Sequence, residues 1–62
     1  MQFIEIKTKN GINVLININF IECIEEYLII GELDIFLTNL EQPITLNMSL
    51  KEFKDKYLLL TI

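Results

Sequence analysis

The sequence predicts an α+β domain: an antiparallel, curled β-meander or partly open small barrel of about five strands, with one C-terminal amphipathic helix over one end. Three observations carry that expectation. Up to Met48, apolar and polar residues alternate in stretches, the period of strands that bury one face. The apolar residues include twelve Ile and ten Leu with no Ala and no Trp, and branching at Cβ suits a pleated surface better than a helix. From Ser49 the period changes to that of a helix. No linker, repeat or low-complexity segment divides the chain, so residues 1–62 read as one domain.

The first strand places Ile4 and Ile6 on one face and Phe3, Glu5 and Lys7 on the other. Lys9-Asn10-Gly11 then signals a turn, Asn-Gly being a favoured pair for a tight hairpin. In the second strand Ile12, Val14, Ile16 and Ile18 alternate with Asn13, Leu15, Asn17 and Asn19. Asn19-Phe20-Ile21 interrupts the ladder, since Asn tolerates turn geometry and bonds backbone two residues on. A third strand over Glu22–Ile30 alternates Glu22, Ile24, Glu26, Leu28 and Ile30 against Cys23, Glu25, Tyr27 and Ile29, with Gly31-Glu32 as the next turn. Asp34–Thr38 forms a fourth strand with Ile35 and Leu37 inward, and Asn39–Gln42 is a loop. Pro43, which has no N–H, opens a fifth strand, with Ile44, Leu46 and Met48 on one face. A flat sheet of such strands would leave one hydrophobic face bare, so the sheet is expected to curl.

Ser49-Leu50-Lys51-Glu52 fits a capping box, in which Ser49 and Glu52 satisfy each other's exposed backbone donors. Leu50, Phe53, Tyr57 and Leu60 recur at helical spacing among Lys51, Glu52, Lys54, Asp55 and Lys56, which predicts an amphipathic helix. Leu58–Ile62 fits either an extension of that helix or a short strand.

Composition excludes several classes. No apolar run is longer than the four residues Tyr57–Leu60, far short of the about 20 needed to span a membrane. Nothing after Met1 marks a signal peptide. Cys23 is the only cysteine, which precludes an internal disulfide and fits a reducing, cytoplasmic setting. The net charge is −4, from nine acids and five lysines without Arg or His. Nucleic-acid binding rests on cations neutralising phosphates, and here acids flank both lysine groups, so nucleic acid is not an expected partner.

The order of landmarks resembles the FlbD-like family of very small bacterial proteins. The resemblance lies in Asn10-Gly11, then Leu15-Ile16-Asn17 running into Ile21 and Ile24-Glu25, then Ile35-Phe36-Leu37-Thr38-Asn39 and Ser49-Leu50-Lys51-Glu52-Phe53. It covers most of the chain and implies a small β-rich fold with a C-terminal helix and no catalytic residues; a bacterial or phage origin is the expectation. The chain departs from the family in three places. Leu40 stands where Gly usually follows the Thr-Asn pair, Tyr27–Leu33 is more apolar than the usual loop, and the tail is Leu-rich. All three add hydrophobic surface.

Catalytic chemistry finds little support. Nucleophilic catalysis needs a base beside the nucleophile, and a chain without His offers Cys23 and Ser49 no obvious activator. On the strand alternation, Glu22 and Glu26 point opposite to Glu25, so the acids Glu22, Glu25, Glu26, Glu32 and Asp34 do not converge as the oxygens of a hard-cation site must. No enzyme activity, cofactor or metal is therefore expected.

What remains is surface. A chain this short buries only about 60% of what it exposes unfolded, while 52% of its residues are hydrophobic. Some must find partners outside the protomer. In a two-sided strand, Leu28 and Ile30 face one way and Tyr27 and Ile29 the other, so one face needs a neighbour. Tyr27, Leu28, Ile29, Ile30 and Leu33 are the candidate interface. Asn13 and Asn17, together with Glu22, Glu25 and Glu26, are candidate contacts to a ligand or partner. The expected function is a non-enzymatic, homo-oligomeric protein-interaction or regulatory module. The alternative is a small inhibitor or ligand-sequestering protein, of anti-defence type, acting through its acidic edge or through a small-molecule pocket at an oligomer interface.

Overall fold

A computed structural model describes residues 3–57. Among them five strands and one α-helix follow in the order β1 (Phe3–Lys7), β2 (Asn13–Asn17), β3 (Ile21–Tyr27), β4 (Glu32–Leu37), β5 (Ile44–Leu46) and α1 (Leu50–Tyr57). The α+β class and the antiparallel pairing stand as expected. The curled meander stands in part: the strands form two sheets, β1-β2 and β3-β4-β5, and no closed barrel. The two sheets are tied at their margins. Lys9 N–H donates to the Thr45 carbonyl at 2.8 Å, and the Lys9 ammonium pairs with Glu32.

The first hairpin pairs Ile4 with Ile16 and Ile6 with Val14, which puts the apolar face predicted from period two against the core. Its turn is closed by Gly11 N–H to the Thr8 carbonyl at 2.9 Å, and Thr8 N–H then meets the Ile12 carbonyl at 2.8 Å. Gly11 sits at φ +84°, while none of the described non-glycine residues has positive φ. A two-residue I′ turn needs positive φ at both central positions. The loop is therefore the three residues Lys9-Asn10-Gly11, with glycine last. The flanking Ile12 and Ile18, expected on the strand, fall outside β2.

One turn of 3₁₀ helix, Ile18–Phe20, interrupts the ladder. The amide that makes it is Asn17 rather than Asn19: Asn17 Oδ1 accepts from Asn19 N–H at 2.9 Å. After this turn β3 pairs with β4, but Ile21 faces Leu37 and Cys23 faces Phe36, so Glu22 is the extra residue of a β-bulge. The bulge corrects the simple alternation. Ile21 and Ile24, three apart, both pack against the core.

β3 ends at Tyr27, three residues before the predicted Ile30, and β4 starts at Glu32 rather than Asp34. Gly31, at φ +69°, donates its N–H to the Tyr27 carbonyl at 2.9 Å. The left-handed glycine thus closes the turn instead of opening it, and Leu28, Ile29 and Ile30 form the tip. Extending β4 backwards adds Leu33 to the inward set of Ile35 and Leu37.

The core consists of Ile6, Ile16, Leu33, Ile35, Leu37, Leu46 and Phe53. β4, between β3 and β5, supplies three of these. Phe53 docks α1, with Leu50, Tyr57 and Met48 packed against the same core, and its ring meets that of Tyr57 at 5.2 Å between centroids. The capping box forms as predicted: Glu52 N–H donates to Ser49 Oγ at 3.1 Å and Ser49 N–H to Glu52 Oε1 at 3.0 Å. Leu60, and the question of helix or strand over Leu58–Ile62, lie outside the described residues.

Denaturant titration checks this packing. Ser49→Ala is expected to cost about 1 kcal/mol through the lost cap, and Phe53→Ala about 3–5 kcal/mol through a cavity in the core. Equal, negligible losses would mean that α1 does not dock.

Candidate functional site

The bulge at Glu22 and the ladder beyond it decide which acids meet. Glu25 pairs with Asp34, and Tyr27 with Glu32, so these side chains share the outer face of β3-β4-β5. Asp34 in turn pairs with Thr45. Like charges directly opposite on a sheet repel, and two hydroxyls offset the Glu25–Asp34 pair. Tyr27 OH donates to Glu25 Oε1 at 2.7 Å, and Thr45 Oγ1 donates to Asp34 Oδ1 at 2.6 Å. Lys9 neutralises Glu32.

The sequence-predicted acids are thus redistributed. Glu25, Glu32 and Asp34 come to one face. Glu26 lies opposite the buried Leu33, and Glu22 occupies the bulge. Among the described residues no group of three or more His, Cys, Asp and Glu is arranged to hold a metal ion. Cys23 is exposed and unbridged, across from Phe36.

The hydrogen bond to Glu25 holds the Tyr27 phenol above its ordinary pKa of 10.0, helped by desolvation and by the charges of Glu25, Asp34 and Cys23. The donor form is the one the fold favours.

The candidate interface divides as well. Leu33 is fully buried and belongs to the core, because its place in β4 turns it inward. Tyr27, Leu28, Ile29 and Ile30 are exposed, Leu28 to 79% and Ile29 to 98%. Neither face of a strand covers them, since three of the four form the turn itself. The expected core-facing side of this stretch does not exist.

The asparagines also separate. Asn13 pairs with Lys7 at the turn end of β2. Asn17, at the other end, caps the 3₁₀ turn and lines a half-open cleft of about 300 Å³ with Phe3, Leu15, Phe20, Asn39 and Leu40. Leu15, between the two asparagines, is 65% exposed. Sequence reasoning did not assemble this cleft, although Leu15 in a polar ladder and Leu40 in a hairpin position usual for Gly were its visible signals. Phe20 needed the 3₁₀ turn to reach it.

Compared with family models, curated proteins and solved structures, the chain matches none. No helix among the described residues is long and apolar enough to cross a membrane.

The acidic face makes a spectroscopic prediction. In a Tyr57→Phe background, which leaves Tyr27 as the sole phenol, ultraviolet titration is expected to place Tyr27 above 10.0, and Glu25→Gln to bring it down. Because the folded value is raised, the linked stabilisation is present below the unfolded phenol pKa and lost as pH rises through the folded one. Identical titrations with and without Glu25 would refute the hydrogen bond.

Proposed function

We propose that the chain is a non-enzymatic, homo-oligomeric protein-interaction or regulatory module of a bacterium or its phage, acting in the cytoplasm and related to the FlbD-like proteins it resembles. The observation that carries this reading is the exposed turn Leu28-Ile29-Ile30 beside Tyr27. Contiguous apolar patches beyond a few hundred Å² are uncommon on soluble monomers and mark contact sites. Tyr27 suits such a site, its ring packing while its hydroxyl stays hydrated and bonded to Glu25. With one small core and no disulfide, a domain of this size gains from association, since such cores rarely supply more than about 3–5 kcal/mol unaided.

A second reading, ligand sequestration, draws on the cleft beside Asn17 and Asn39. Amide side chains offer both donors and acceptors, and a small molecule with a hydrophobic body and one polar group would match that lining. Native mass spectrometry from a cell lysate separates the two readings: a bare oligomer favours the first, a retained ligand the second.

Light scattering across a dilution series in the micromolar range is expected to give a mass above the protomer's 7.3 kDa, and Ile29→Asp to lower it with β-type circular dichroism intact. Cys23→Ser should leave the assembly unchanged under reducing conditions. A wild-type chain that stays at the protomer mass throughout would sink the reading.

A further inference from the structure

Of the nine large hydrophobic side chains exposed among the described residues, eight fall in two places. Tyr27, Leu28, Ile29 and Ile30 form the tip of the β3-β4 hairpin, while Phe3, Leu15, Phe20 and Leu40 rim the half-open cleft. The two lie at opposite ends of that hairpin. Tyr27 pairs with Glu32 at the tip end, and Ile21 pairs with Leu37, which lines the cleft, at the other. With a rise of about 3.3 Å per residue, the six residues of β4 separate the two ends by roughly 17 Å. A tip therefore reaches a cleft in a second molecule.

We propose that the Leu28–Ile30 tip of one copy seats in the Phe3–Leu15–Phe20–Leu40 cleft of a second copy. This rests on the reading of the chain as a homo-oligomer and names how it assembles. Charge decides against the simplest alternative, a symmetric tip-to-tip contact. Glu25 and Glu26 lie at the base of the tip, while Glu32 beside them is paired with Lys9, so two tips facing each other would bring both pairs of carboxylates together and desolvate them. The cleft is lined by apolar side chains and by the neutral amides of Asn17 and Asn39, and none of the described residues lining it is charged. Its neighbouring acid by register is Glu5, across from Leu15, so a seated tip meets fewer carboxylates there than it would against a second tip. Unlike patches meeting in this way form either an open or ring-like series, or a closed pair in which each copy gives its tip and its cleft.

The test is complementation between two defective variants. Ile29→Asp spoils the tip and leaves the cleft. Leu15→Asp spoils the cleft and leaves the tip. Both positions are well exposed, so circular dichroism should match the wild type. If Leu15→Asp unfolds, Leu40→Asp, in the loop on the cleft's rim, takes its place. Each variant alone is expected at the protomer mass by sedimentation, and an equimolar mixture is expected to form a one-to-one heterodimer through the single intact tip and cleft. A wild type that assembles while the mixture stays monomeric overturns the tip-in-cleft contact and leaves the oligomer reading standing. A cleft variant that assembles like the wild type overturns the contact in the same way. A monomeric wild type overturns both.

Discussion

The inward stripe Leu33, Ile35 and Leu37 on β4 is the constraint on which the other elements depend. β4 is flanked by β3 and β5, and its three side chains are buried. Every other element brings the stripe one or two partners: Ile6 and Ile16 from the first hairpin, Ile24 from β3, Leu46 from β5 and Phe53 from α1. The sheets are separate in hydrogen bonding but share this core. Their margins are held by Lys9, whose backbone bonds Thr45 and whose ammonium pairs with Glu32. A change on the stripe is felt by all elements together, because close-packed interiors transmit the loss of even one methylene.

Filling that core leaves a surplus. The chain can enclose only what its few strands and one short helix cover, and among the described residues eight of the nine exposed large hydrophobic side chains collect at the two ends of the β3-β4 hairpin. At one end the turn needs a left-handed residue, which Gly31 supplies, and the three residues before it are thrown outward. At the other end the 3₁₀ turn capped by Asn17 presents Phe20 beside Phe3 and Leu15. Both leave hydrophobic surface in water, where partners recover its burial energy.

The acidic face shows how a sheet tolerates crowded carboxylates. Glu25 and Asp34 face each other across the ladder, and each accepts a hydroxyl hydrogen bond, from Tyr27 and Thr45. Charged side chains on an outer sheet face also discourage strand pairing with other chains.

The sequence by itself determined the strands whose partners repeat its own period: Ile4 and Ile6, Val14 and Ile16, Ile35 and Leu37, then Ile44 and Leu46. It also determined the helix start, since a capping box closes within four residues, and the placing of glycines at both turns. These are local properties, set by neighbours in the chain. The tertiary structure alone decided the bulge at Glu22, because an extra residue is recognised only against the strand it pairs with. It alone divided Tyr27–Leu33, four consecutive apolar residues being as consistent with a strand as with a turn until Gly31 bonded back to Tyr27 and drew Leu33 into the core. It alone parted the sheet in two and assembled the cleft from Phe3, Leu15, Phe20 and Leu40. Period carries no information about which distant segments meet, and that meeting is settled by competition for the small interior around β4.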